Sequence, residues 1–299
     1  MRNAFIDELV NLAAAHDHIA LVVGDLGYSV VEPFADRFPD RFINAGVAEQ
    51  NMTGLAAGMA SEGYHVFTYS IANFPTFRCA EQIRNDVDYH KLPVTVVSVG
   101  GGLAYGALGY SHHAVQDYAL MRSFPKMLIA APGDPMEVRA CMRYLVEHPQ
   151  PSYLRLGKAG EPNFHKSVPT VTPGEWLEIA QATVQSPSGK SLLTTGATLG
   201  IAMEWQKSER YGQHSVHSMP LWGMGSKASQ VAAVSRFDLV ETVEDHLQDG
   251  GFGSWLMESV VGQSQHQASI KVHALDGAVC GMVGSQTSLN SIGGLKNPQ

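Results

Sequence analysis

Apolar positions along the chain alternate between two periods. Phe5, Leu9, Leu12 and Ala13 fall on one helical face and predict a helix over residues 2–16, and the unbroken run Ile19-Ala-Leu-Val-Val23 then predicts a buried strand that ends at Gly24-Asp25. The alternation repeats. His65–Ser70 predicts a strand, Phe74–His90 a helix running through Ala80, Ile83 and Val87, and Lys91-Leu-Pro93 a stop before the strand Val94–Val99. Met127–Ala131 predicts a strand, Pro132-Gly-Asp-Pro135 a turn and N-cap, Met136–His148 a helix and Ser152–Arg155 a last strand. Strands alternating with helices in this way demand a mostly parallel sheet covered on both faces.

Residues 158–175 are rich in glycine and proline and read as a linker. A second α/β unit follows. Its expected strands are Ser191–Thr195, 213–218, Asp238–Val243 and 269–273, with helices near 198–210 and 251–262. The expected fold class is therefore α/β in two domains, 1–157 and 176–299, each a mostly parallel sheet with helices on both faces.

The stretch from Asn44 to Gly63 departs from an ordinary amphipathic pattern. Met52, Leu55 and Met59 form an apolar stripe, while Ala48, Gly54, Ala56, Ala57, Gly58 and Ala60 leave little side-chain volume on the remaining faces. Glycine costs a helix about 1 kcal/mol per site relative to alanine, so another backbone is expected to approach this one closely. Glu49 stands at the first turn. By itself it is either a solvated carboxylate favoured by the helix dipole or a buried acid pushed toward its neutral form.

Composition narrows the function classes. Hydrophobic residues make up 44% and charged residues 16%, which describes a globular chain. A net charge of −8 argues against a nucleic-acid or anionic-membrane surface, which needs clustered Lys and Arg. Cys79, Cys141 and Cys280 lie far apart, in no metal-ligand spacing, and are expected to be reduced and structural. The first ten residues lack the apolar run of a signal peptide and no later stretch approaches a membrane span, so the cytoplasm is the expected location.

Two loops carry candidate chemistry. Asp25 and Ser29 in Gly24-Asp-Leu-Gly-Tyr-Ser29 follow a strand's C-terminal end, where open α/β sheets place ligands, although Asp25 equally suits a cap or turn. Gly100-Gly-Gly-Leu-Ala-Tyr-Gly-Ala-Leu-Gly-Tyr-Ser-His-His113 holds five glycines in its first ten residues, a costly loop to order unless something approaches its backbone. His112 and His113 close it, either as functional groups or as exposed loop residues.

Taken together, Gly24–Ser29, Gly46-Val-Ala-Glu-Gln-Asn-Met52, Asn73-Phe-Pro-Thr-Phe77, Gly106-Ala-Leu-Gly-Tyr-Ser-His112 and Glu244-Asp-His-Leu-Gln-Asp-Gly-Gly-Phe-Gly-Ser254 resemble the C-terminal half of transketolase. That half comprises the pyrimidine-binding and C-terminal domains of a thiamine diphosphate family, and the resemblance covers nearly the whole chain. It implies that Glu49 matches the glutamate bonded, as a near-neutral acid, to the cofactor's aminopyrimidine ring nitrogen. Val47 matches the apolar residue that keeps the cofactor bent, and Phe74 and Phe77 match the aromatic platform under the pyrimidine. Asp25 and Ser29 match positions near the thiazolium and the substrate channel. His112 matches a proton-handling histidine near the reacting carbonyl, and Arg155 corresponds to an arginine that clamps a substrate phosphate.

Departures from the family pattern are equally informative. Leu108 stands where sugar-phosphate transketolases have an aspartate before the histidine, and Gly100 stands where they have a histidine. The chain also lacks the family's diphosphate and metal motif, Gly-Asp-Gly followed farther on by Asn. The expected protein is thus the C-terminal subunit of a split transketolase, transferring a two-carbon ketol unit from a ketose to an aldose. A separate N-terminal subunit would hold the diphosphate with Mg²⁺ or Ca²⁺, in a heterotetramer with shared sites. The alternatives are the beta subunit of a thiamine-dependent 2-oxo acid dehydrogenase and a non-catalytic regulatory subunit of the same fold.

Overall fold

A computed structural model describes residues 1–158, 160–184, 189–262 and 268–296. Six strands of the first unit are β1 (Ile19–Val23), β2 (Phe42–Asn44), β3 (His65–Ile71), β4 (Val94–Val99), β5 (Leu128–Ala130) and β6 (Ser152–Leu156). The second unit supplies β7 (Leu177–Ala180), β8 (Lys190–Thr194), β9 (His214–Ser218), β10 (Leu221–Gly223), β11 (Leu239–Leu247) and β12 (Ser269–Leu275). A seven-stranded sheet runs β10-β5-β6-β4-β3-β1-β2 and a five-stranded sheet runs β12-β11-β8-β9-β7. Between these strands, among the described residues, every pairing is parallel except β10 with β5 and β7 with β9, which lie at sheet edges. Strands β1, β4 and β6 are buried along their whole length, because helices cover both faces, and their residues accordingly read as continuous runs rather than alternations.

Most of the expected elements form within a residue or two of their expected ends. Three short strands, β2, β7 and β10, have too few residues to show a period, and the chain pattern does not reveal them. The helix expected over Phe74–His90 is broken. A single turn at Phe74–Phe77, with Pro75 inside it, is followed by Ala80–Gln82 and by a π-helical turn at Ile83–Asp88, where Tyr89 N–H donates to the Arg84 carbonyl five residues back.

Strand β11 continues past its expected end. A register shift between Val243 and Leu247 carries Glu244, Asp245 and His246 into the contact between the two sheets. Glu244 accepts hydrogen bonds from the Phe252 and Gly253 N–H groups at the start of the helix Phe252–Val260. His246 stacks on Tyr118 of the first unit, 5.3 Å between ring centroids, and its Nε2 accepts from the Ala119 N–H. Trp222, Phe252 and Trp255 pack into the same buried cluster as Met121 and Ile129 of the first unit. Among the described residues no helix is long and apolar enough to cross a membrane.

Candidate active site

The helix Glu49–Ser61 begins beyond β2, close to the C-terminal end of β1. Met52, Ala56, Ala57 and Ala60 turn into the core, while Gly54 and Gly58 face outward. A side chain added at either glycine would meet nothing within 4 Å. The close approach expected from the sequence is therefore not made by this chain. Instead Gly54, Gly58 and Ser61, above the buried Ala57, join Asp86, His90 and Leu92 around an open cleft of about 440 Å³.

Glu49, at the head of that helix, is 6% exposed, and Arg78 Nη1 donates to its Oε1 at 2.8 Å. In this chain by itself the carboxyl group of Glu49 is thus buried and held against a guanidinium. The same guanidinium lies 4.2 Å from the centroid of the Phe74 ring. His112 meets that ring edge-on at 5.2 Å, which joins the glycine-rich loop to the helix head. Burial, with the Arg78 and His113 charges, pushes His112 below the ordinary histidine value. Its neighbour His113 is buried, and Asn73 Nδ2 pins the loop by donating to the carbonyls of Ser111 and His113.

The turn after β1 is shaped by two left-handed residues, Asp25 (φ 55°) and Ser29 (φ 63°), flanking Gly27. Asp25 Oδ1 accepts from Asn44 Nδ2 at 3.0 Å and from the Tyr28 hydroxyl at 2.9 Å, and these bonds hold its carboxyl below the usual range. Ser29 N–H donates to Glu32 Oε1 at 2.7 Å. The turn adjoins the helix head, since a Cβ at Gly24 would stand 3.8 Å from Glu49 Cγ. Val47 (73% exposed) and Phe77 (46%) present apolar surface beside the buried acid.

Arg155 lies elsewhere. It is 3% exposed, its Nε donates to Asp117 Oδ2 at 2.7 Å, and its Nη groups bond Asp245, the Tyr118 hydroxyl and the Ala114 carbonyl. The expectation that it clamps a substrate phosphate is corrected: a guanidinium with every nitrogen engaged inside the protein has no donor to offer. Gly100, one of the departures from the family pattern, adopts φ 87° and the Tyr105 ring fills the space a side chain would take. A histidine therefore does not fit there without displacing Tyr105. Sequence reasoning missed Arg78, Asn44 and Tyr105. Only the spacing of Arg78 four residues after Phe74 hinted at a shared face.

A buried carboxylate beside a half-exposed phenyl ring and an exposed valine suits a flat heterocycle with a ring nitrogen, so these residues fit the pyrimidine of thiamine diphosphate. Among the described residues no group of three His, Cys, Asp or Glu is placed to hold a metal ion.

Residues 1–160 match the family model described as "Transketolase, pyrimidine binding domain". The chain is 31% identical over 264 residues to an apulose-4-phosphate transketolase subunit of Phocaeicola vulgatus, covering 87% of this chain and 83% of that protein. It is 28% identical to a 6-deoxy-6-sulfo-D-fructose transketolase subunit of a Clostridium species, covering 88% and 77%. A solved structure described as "Split gene transketolase, inactive beta4 tetramer" superposes with a TM-score of 0.82 at 28% identity, covering 99% of this chain and 93% of that one. The buried glutamate at the head of a small-residue helix, the aromatic turn beside it and the His112 loop are thus features of a chain that belongs to the transketolase family.

Proposed function

We propose that this protein is the C-terminal subunit of a two-component transketolase, moving a two-carbon ketol unit between a ketose and an aldose and active only with a diphosphate-binding partner. The observation that carries the proposal is the constellation Glu49, Phe74 and His112, in which a buried carboxylate is joined through one aromatic ring to a histidine on a glycine-rich loop.

Thiamine diphosphate, which Glu49, Val47, Phe74 and Phe77 would hold, would supply the carbon nucleophile for ketol transfer. Glu49 holds a proton at the pyrimidine ring nitrogen, which its burial beside the aromatic turn keeps away from water. Phe74 and Phe77 would stack against the ring and Val47 would give it apolar support. His112 exchanges a proton with the reacting carbonyl oxygen, and its lowered proton affinity suits a neutral imidazole that can both accept and donate. Asp25 and Ser29 line the channel mouth. Arg155 takes no part in binding.

The outward face of the helix Glu49–Ser61 supports docking of the partner, because its glycines are crowded by nothing within the chain. Mg²⁺ or Ca²⁺ and the diphosphate belong to that partner in this proposal, in a heterotetramer whose sites form between chains. Residues 1–157 form the pyrimidine-binding domain and 176–299 the C-terminal domain. Three unpaired cysteines support a reducing, cytoplasmic setting. The two relatives act, by name, on apulose-4-phosphate and on 6-deoxy-6-sulfo-D-fructose, so their sugars differ, and the exposed Leu108 and the filled space at Gly100 mark where this chain's own preference is set.

The test combines the chain with its partner subunit and measures ketol transfer from a panel of ketoses to aldoses. Turnover is expected only with both subunits and thiamine diphosphate, and Glu49→Gln is expected to lower it by roughly 100-fold or more. Full turnover in E49Q refutes the assignment.

A further inference from the structure

Arg78 is the one cation, among the described residues, that forms an ion pair with Glu49. Its Nη1 donates to Oε1, and no hydrogen bond among the described residues engages Oε2. Its guanidinium also covers the face of Phe74 at 4.2 Å, while His112 abuts the edge of that ring. One planar cation therefore touches both the acid and the aromatic platform, tying the helix Glu49–Ser61 to the turn Phe74–Phe77. Half of its side chain, 51%, faces solvent. Arginine suits both contacts, since a rigid fork aims a hydrogen bond at one carboxylate oxygen while its flat face stacks on a ring. The ammonium of lysine is a point charge with neither property.

Resting on the transketolase reading above, we propose that Arg78 is a positioning residue of the cofactor centre. By holding Oε1 it fixes the orientation of the carboxylate and confines the proton shared with the ring nitrogen to Oε2. By lying on Phe74 it keeps the platform ring, and the His112 imidazole against it, in register with that oxygen. Arg78 keeps its own protons throughout, and only the proton between Oε2 and the ring nitrogen moves. In the chain without its partner, the same bond keeps a buried carboxylate from being left uncompensated.

The test assembles wild-type, R78A, R78K and E49Q chains with the diphosphate-binding subunit. It follows thiamine diphosphate binding by calorimetry, and kcat and KM for the ketose by steady-state kinetics. R78A is expected to bind the cofactor roughly 10-fold more weakly and to lose roughly 10- to 100-fold in kcat, with the ketose KM unchanged. R78K is expected to recover little of either. Added methylguanidinium is expected to restore part of kcat in R78A, whose missing side chain opens to solvent, and to leave wild type and E49Q unaffected. Wild-type affinity and kcat in R78A, wild-type values in R78K, or no response to methylguanidinium each overturn the positioning role. Should R78A not fold, by circular dichroism, the R78K comparison decides. Wild-type turnover in E49Q overturns the reading of Glu49 itself, whereas an inactive E49Q beside an unimpaired R78A overturns the role of Arg78 alone.

Discussion

Arg155 Nε donates to Asp117 Oδ2 at 2.7 Å, and the other end of the same guanidinium reaches Asp245 on β11, so one buried side chain ties the first sheet to the second. Tyr153 adds its hydroxyl to Asp117 at 2.6 Å, and Tyr118 lies with its ring 4.3 Å from the guanidinium. Truncating one member of such a network leaves the others buried without compensation. Arg155→Met is therefore expected to destabilise the chain by about 3–5 kcal/mol in urea unfolding. The ketose KM of whatever fraction folds and assembles is expected to stay at the wild-type value, and a KM raised without loss of stability would restore the phosphate clamp.

The exposed glycines of the helix Glu49–Ser61 separate intramolecular from intermolecular roles. A methyl group at Gly58 meets nothing in the chain, so Gly58→Ala is expected to stabilise the isolated chain by about 0.5–1 kcal/mol through helix propensity. Gly58→Trp is expected to leave the isolated chain folded but to weaken partner association at least 10-fold, read by analytical ultracentrifugation or calorimetry. Undiminished association of the Trp variant would remove this face from the interface.

The linker is fastened by a titrating cluster. Burial pushes the Glu137 carboxyl up to about 7, against an ordinary value of 4.5, while Ser218 from β9 and the Gly133 N–H bond its Oε2. A carboxyl raised in the folded state contributes stability that is complete below its unfolded value and is lost as pH rises through the folded one. His165, raised chiefly by its hydrogen bond to Asp134, acts in the same sense, and Asp134, held near 2, contributes a constant term across this window. Glu244, pushed by burial up to about 8, acts in the same sense over this window, and His65, His217 and His246, all lowered chiefly by burial, act in the opposite one. The share of Glu137 is therefore read as a difference: between pH 5 and pH 8 the urea midpoint of the wild type is expected to fall relative to that of Glu137→Gln. An unchanged slope in the variant would remove Glu137 as a contributor.

Much of the first sheet was legible in the chain because its strands are buried on both faces. Val94–Val99 and Ile19–Val23 show no charged interruption, and Gly and Pro mark their ends. Edge elements left weaker traces: β10 packs beside β5 through three residues that carry no period of their own. Glu49, Phe74 and His112 could be named because the motifs around them resemble those of a known family, whereas their positions at element ends left each role open. Arg155 shows the limit of that approach, for its strand-end position suits a ligand contact equally well until Asp117 and Asp245 are seen to surround it.

The sequence by itself determined the class of fold and the order of its elements, because periodicity and turn chemistry are local properties, while its resemblance to a known family pointed to the residues expected to serve a cofactor. Only the tertiary structure decided which of those residues meet. That Arg78 pairs with Glu49, that Tyr105 fills the space at Gly100, and that Gly54 and Gly58 face outward depend on how distant segments pack. A helix pattern records which positions are small but not what approaches them. The small-residue helix predicted a close neighbour, and the packed chain places that face outside its own core.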